Sequence, residues 1–118
     1  MVKPIDISSK ILFDPWKHQP LEEEFTIMRI VVEGIKDGET KKIEYFLYDE
    51  NDASTNTSPM SRTTACTCTA AVHLLSNQLF NEKGVFPPEL IGKHPQCFDF
   101  ILQSLENRHV VYQKIVHV

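Results

Sequence analysis

The chain has 118 residues, 42% hydrophobic and 24% charged, enough for one domain spanning 1–118 and ordinary for a soluble globular fold. Its 12 Lys and Arg against 16 Asp and Glu give a net charge of −4, and with no basic tract nucleic acid is excluded as a partner. No apolar run approaches the roughly 20 residues a bilayer demands, and MVKPIDISSK has no apolar leader core, so no membrane partner and a cytoplasmic location are expected.

Residues 1–24 read as irregular, with one short helical pattern. Ser8 or Ser9 is expected to cap a turn carrying Ile11, Leu12 and Phe13, and Pro15 to end it. Trp16 is expected against the domain, and PLEEE (20–24) reads as a polar lead-in.

Residues 25–49 read as a β-hairpin. Asp37-Gly38 is a type I′ turn signal. A turn there sets Val32 opposite Ile43, Ile30 opposite Tyr45 and Met28 opposite Leu47, one continuous apolar face. On the other face Glu33 meets Lys42, and Arg29 lies diagonal to Glu44. Apolar and charged pairs agree on one register.

NDASTNTSP (51–59) is a polar loop. A helix follows over about 61–80, with Cys68, Ala71, Val72, Leu75 and Leu79 as the expected buried stripe. NEKG is expected to end it, with Gly84 in the left-handed conformation. VFPPELIG is a stiff connector with about one helical turn. A second helix over about 95–107 places Pro95 in its first turn and Phe98, Ile101, Leu102 and Leu105 on its apolar face, with Asn107 as the stop. HVVYQKIVHV reads as a last strand over 109–117. Strand, strand, helix, helix, strand describes an α+β fold: a small, mostly antiparallel sheet with two main helices on one face.

Three cysteines, Cys66, Cys68 and Cys97, without a secretion signal argue against a disulfide framework. Cys66 and Cys68 with His73 form a C-x-C and a following His, but thiols two apart on a helix diverge by about 200°. No metal site is assigned, and the cysteines are read as small buried residues. Gly34, Gly38, Gly84 and Gly92 form neither G-x-G-x-x-G nor a P-loop, so no cofactor is expected in this chain.

The stretch SPMSRTTACTCT (58–69) asks for a separate reading. Arg62 sits near the helix start, where the dipole opposes a cation. Thr63 and Thr64 follow, and Ala65, Cys66, Cys68, Ala70 and Ala71 are all small. One reading is an anion site, where amides, hydroxyls and a guanidinium converge on a carboxylate or phosphate. The other is that Arg62 pairs with a local acid, Asp49, Glu50 or Asp52, while the threonines merely cap. Composition leaves both open.

SPMSRTTACTCTAA resembles the T-S-M-A-R-T-T-G-Y segment of the saccharopine dehydrogenase family, which includes saccharopine reductase, lysine 6-dehydrogenase and carboxynorspermidine dehydrogenase. FDPWKHQPLEEEFTIMRIVVEG resembles the stretch leading into the family's D-x-T-V-M-R-V strand. IEYFLYDEND resembles the next strand and its acidic loop, and GVFPPELIG resembles G-V-x-P-P-E-x-I-G. Ala65 stands where the family usually has glycine, Cys66 where it has an aromatic, and Ser58-Pro59 where Thr-Ser is usual.

The resemblance implies the later part of the family's second domain, which binds substrate and dimerises. The nucleotide-binding Rossmann domain, with NAD or NADP, would belong to a larger parent enzyme. The implied reaction is hydride transfer between a nicotinamide and a carbon–nitrogen bond of an amino acid. Arg62 with Thr63 or Thr64 is expected to hold a carboxylate of a small amino-acid-like substrate. No catalytic residue is assigned, and His18, His73, His94, His109 and His117 each have a plainer reading. The chain alone is expected to be inactive and to form a homo-oligomer through open strand edges, unless the last strand seals the edge within one chain. The alternative is a free-standing interaction module without chemistry.

Overall fold

The computed structural model describes residues 2–17, 19 and 22–117; His18 and the Pro20 and Leu21 of the lead-in lie outside the described residues. The hairpin dominates. β1 (Phe25–Lys36) and β2 (Glu39–Glu50) pair antiparallel around Asp37 and Gly38. Both turn residues have positive φ, 57° and 81°, as a type I′ turn requires. Val32 pairs with Ile43, Ile30 with Tyr45, Met28 with Leu47 and Glu33 with Lys42, the register expected from the sequence. Arg29 reaches diagonally to Glu44 with two hydrogen bonds, of 2.7 and 2.9 Å.

The last strand, β3 (Gln113–His117), is shorter than expected. It pairs antiparallel with β2, giving the order β1-β2-β3. Residues 109–112 do not extend it, because His109 turns the chain at φ 63° and Val110 is drawn into the core. The free edge of β2 is thus covered within the chain over Lys42–Phe46.

The N-terminal segment is a full helix, α1 (Pro4–Trp16), with Pro4 in its first turn and Asp6 complementing the dipole. Ser8 and Ser9 lie inside it rather than at its cap, and Pro15 sits in the last turn. No α1 residue is buried, and Trp16 is exposed rather than packed on the domain.

α2 (Pro59–Ser76) starts at Ser58, whose Oγ accepts from the Ser61 amide at 3.2 Å. It ends earlier than expected. Gln78 takes the left-handed conformation at φ 57°, and the Leu79 amide reaches back to the Leu74 carbonyl at 3.2 Å. This is a Schellman-type stop, so Gly84 plays no part in it. A single turn, α3 (Pro88–Gly92), follows. α4 (Pro95–Glu106) carries Pro95 in its first turn and Asn107 at its C-cap. It closes in the same way as α2, with His109 left-handed and the Val110 amide on the Leu105 carbonyl at 3.0 Å.

The core lies where α2 and α4 meet the sheet. Leu47, Leu105 and Val110 form one cluster, with Cys66, Ile101 and Tyr112 against it. Leu74, Phe80 and Cys97 form the other, packed by Phe86, Ile91 and Phe100. α2 faces inward with Pro59, Ala70 and Leu74 buried and Cys66 half-buried. The expected stripe is turned outward: Cys68, Ala71, Val72 and Leu75 are exposed, and of that set Leu79 alone packs on the core. The helix is apolar on two sides; on the buried side Cys66 packs on the Leu47, Leu105 and Val110 cluster and Ala70 is buried. The cysteines divide accordingly: Cys97 is buried, Cys66 half-buried and Cys68 exposed.

Candidate functional site

The front of α2, the end of β2 and the loop between them form one polar assembly. Arg62 is its hub. Its Nε donates to Asp49 Oδ2 at 3.1 Å, and its Nη2 donates to Asp49 Oδ1 and to the Glu50 carbonyl, the latter at 2.7 Å. Nη1 lies 3.8 Å from Asp52 Oδ2. Asp49 is buried, so this fork-to-fork pair ties the helix to the strand away from water. The hydrogen bond to Asp49 raises the Arg62 pKa above its usual value. Asp49 and Asp52 offset the helix dipole's repulsion of this cation.

Asp52 organises the loop. Its Oδ1 accepts from the Ser54 amide at 2.9 Å and the Ser54 hydroxyl at 2.6 Å, and its Oδ2 accepts from the Thr55 hydroxyl at 2.9 Å. These bonds, led by that from the Ser54 side chain, lower the Asp52 pKa to about 2. An isolated bridge between Asp52 and Thr57 closes the loop on itself.

The threonines of α2 are occupied differently. Thr63 Oγ1 donates to the Pro59 carbonyl at 2.8 Å, Thr67 to the Thr63 carbonyl at 2.7 Å and Thr69 to the Ala65 carbonyl at 3.0 Å. These bonds one turn back satisfy the hydroxyls within the helix. Thr69 also accepts from Arg108 Nη1 at 2.7 Å, which fixes the exit of α4 against α2. Thr64 is exposed. The structure therefore brings Arg62 to the acidic loop, turns Thr63 onto the backbone and leaves Thr64 facing outward.

Beside this hub lies an open cleft of about 620 Å³ that the sequence reading missed. Glu23, Glu24, Glu50 and Asp52 line it, together with Phe25 and Tyr48. The two rings stack with centroids 6.2 Å apart. Asn51 builds the cleft. Its Oδ1 accepts from the Glu24 amide at 3.3 Å, and its Nδ2 donates to the Glu22 carbonyl at 3.0 Å. Tyr48 donates to Glu50 at 3.1 Å, and that bond raises the Tyr48 pKa. The signal was present in the sequence as two acidic runs, EEE (22–24) and DEND (49–52), but only β-pairing sets Phe25 opposite Glu50 and so joins them. Carboxylates and ring faces suit an ammonium group.

Among the described residues, no group of three or more His, Cys, Asp or Glu could hold a metal ion, and no helix is long and apolar enough to cross a membrane. Cys66 turns toward the core and Cys68 to solvent, so their thiols diverge. His73 is exposed in the last turn of α2, His94 packs edge-on to Phe80 at the start of α4, and His117 lies in β3. His109 is a turn residue rather than a strand residue. Gly34 lies within β1, Gly38 in the hairpin turn, Gly84 in the connector and Gly92 at the end of α3. None stands where a strand passes into a helix N-terminus, the place from which glycine amides cradle a pyrophosphate. The four glycines therefore form no Rossmann-type pyrophosphate cradle.

No solved structure matches the chain. The family model described as saccharopine dehydrogenase C-terminal domain matches residues 1–111, a span that holds the whole hairpin, the acidic loop and α1 to α4. The chain therefore belongs to the saccharopine dehydrogenase C-terminal domain family.

Proposed function

We propose that this chain is the substrate-binding and dimerisation part of an NAD(P)-dependent oxidoreductase acting on a carbon–nitrogen bond of an amino acid. The nucleotide would be bound by a separate domain of the parent enzyme. The observation that carries this reading is the sharing of Asp52 between the acidic cleft and the Arg62 hub. One wall offers carboxylates to an ammonium group. Past Asp52, outside the cleft itself, Arg62 offers its Nη1, 3.8 Å from Asp52 Oδ2, with the Thr64 hydroxyl nearby in sequence, to a carboxylate. Thr63 contributes by fixing the first turn of α2. An amino acid with separated charges matches that order of groups, and holding both ends orients the bond between them.

The test is an NMR titration of the chain with L-lysine, with sodium acetate and methylamine as single-charge controls. Shifts at residues 48–56 and 62–64 are expected with lysine, weakened by Asp52→Asn. Equal shifts with methylamine alone would reduce the site to an ammonium subsite, and no shift at all would overturn the reading.

A second reading, a non-catalytic interaction module, is favoured by the outward apolar stripe of α2 at Cys68, Val72 and Leu75. A stripe of this kind marks a protein contact more readily than a substrate site.

A further inference from the structure

β1 has one edge against β2, and among the described residues no strand pairs with the other. This edge is 12 residues long, about twice the usual strand length. Every residue from Phe25 to Lys36 has its own partner on β2, so no bulge interrupts it. It contains no proline and a single lysine at its very end. Edges kept solitary are ordinarily blunted by such devices.

The hairpin turn fixes which groups the edge presents. In a two-residue type I′ hairpin the flanking pair, Lys36 and Glu39, exchanges both hydrogen bonds. The backbone groups of Ile35, Glu33, Val31, Arg29 and Ile27 therefore point away from β2, toward the open side. Read along the strand, these residues are Ile, Arg, Val, Glu, Ile, centred on Val31.

We propose that β1 pairs antiparallel with β1 of a second copy of this chain, with Val31 on the two-fold axis. Val31 then faces itself, Arg29 faces Glu33 of the second copy, and Ile27 faces Ile35 of the second copy. On the helix side Ile30 faces Val32. Ile27, Val31, Ile35, Ile30 and Val32 are all exposed in the single chain, and this pairing covers each with an aliphatic partner.

The charges select the register. Within one chain Glu33 already holds Lys42 at 2.7 Å, and Arg29 holds Glu44 at 2.7 Å. Both Arg29 and Glu33 keep most of their side chains in solvent, 62% and 60%. Across the seam they complete a row of alternating sign: Lys42, Glu33, then Arg29 and Glu44 of the second copy. Two-fold symmetry repeats the row. Moving the centre one residue either way sets Arg29 opposite Val31 or Ile35 and leaves both charges against aliphatic side chains. This inference rests on the dimerisation part of the proposed function and is independent of its substrate part.

Sedimentation velocity of the 118-residue chain from micromolar to tens of micromolar, in low salt, tests it. A dimer is expected, and Val31→Lys is expected to raise its dissociation constant at least tenfold with unchanged circular dichroism. In a Cys68→Ser background, Val31→Cys is expected to give a disulfide-linked dimer on mild oxidation, whereas Ile115→Cys on β3 does not. If Val31→Lys fails to fold, the cross-link decides. A wild-type chain that stays monomeric throughout overturns both the seam and the dimerisation role. A dimer that survives Val31→Lys, with no cross-link through Val31→Cys, overturns the seam alone.

Discussion

Arg62 grips Asp49 through two guanidinium nitrogens, so the cation at the front of α2 is neutralised by the buried end of β2. The same guanidinium donates to the Glu50 carbonyl, and so fixes where the acidic loop begins. Losing Arg62 leaves the buried Asp49 unpaired, and losing Asp49 takes the main partner from a largely buried guanidinium, which costs roughly 2 kcal/mol for a charge-assisted pair. Arg62→Ala and Asp49→Asn are each expected to destabilise by about that amount. The double variant should cost much less than the sum, since both remove one interaction. Urea denaturation of the three variants measures this; full additivity would mean the two side chains act separately.

Asp52 gives the pH dependence. Its pKa in the folded chain, about 2, lies below the ordinary 3.8. A depressed carboxylate contributes stability that is present above the unfolded value and lost as pH falls through the folded value. The loop is thus expected to keep its form from neutral pH to below 4 and to open as pH nears 2. The Ser54 amide resonance, followed by NMR, should titrate in that window, and Asp52→Asn should abolish the change.

Two adjacent leucines on α2 separate the expected face from the observed one. Leu74 is 2% exposed and Leu75 is 55% exposed. Leu74→Ala is expected to cost roughly 2–5 kcal/mol, and Leu75→Gln within about 0.5 kcal/mol of nothing. Comparable losses at both sites would place the core on the other side of the helix.

Cysteine reactivity follows the same geometry. Cys68 should react with a thiol reagent at the rate of a free cysteine, and Cys97 only on unfolding. Cys97 is fully buried, with Sγ 3.4 Å from the Leu79 carbonyl. Rapid labelling of Cys97 in the folded chain would contradict its place in the core.

At the hairpin turn, Gly38 has φ 81°. Nothing lies within 4 Å of where a side chain would start, so the penalty for Gly38→Ala is conformational alone, about 1 kcal/mol. A thermal melt should show a correspondingly small drop in Tm; no drop would mean the turn is relaxed by other means.

The hairpin register was legible in the sequence because its determinants are local. Asp37-Gly38 selects the turn, and the period of two then carries each residue to its partner. Arg29 with Glu44 and Glu33 with Lys42 followed from the same counting. The bounds of α4 were legible for a similar reason, Pro95 and Asn107, but its face only in part: Ile101 and Leu105 pack on the core, Phe98 is exposed, and Cys97 and Phe100 turn inward instead. α2 was not, because its apolar residues lie on two sides. Cys66, Ala70 and Leu74 follow one row of the helix, and Cys68, Val72 and Leu75 follow another. Periodicity finds both and cannot rank them; the positions of Leu47 and Cys97, brought near by folding, decide which row is buried. Arg62 met the same limit. Its sequence neighbours allowed either an anion or one of three acids. Only the turn of the chain through residues 51–58, which carries the end of β2 beneath the start of α2, gave it Asp49.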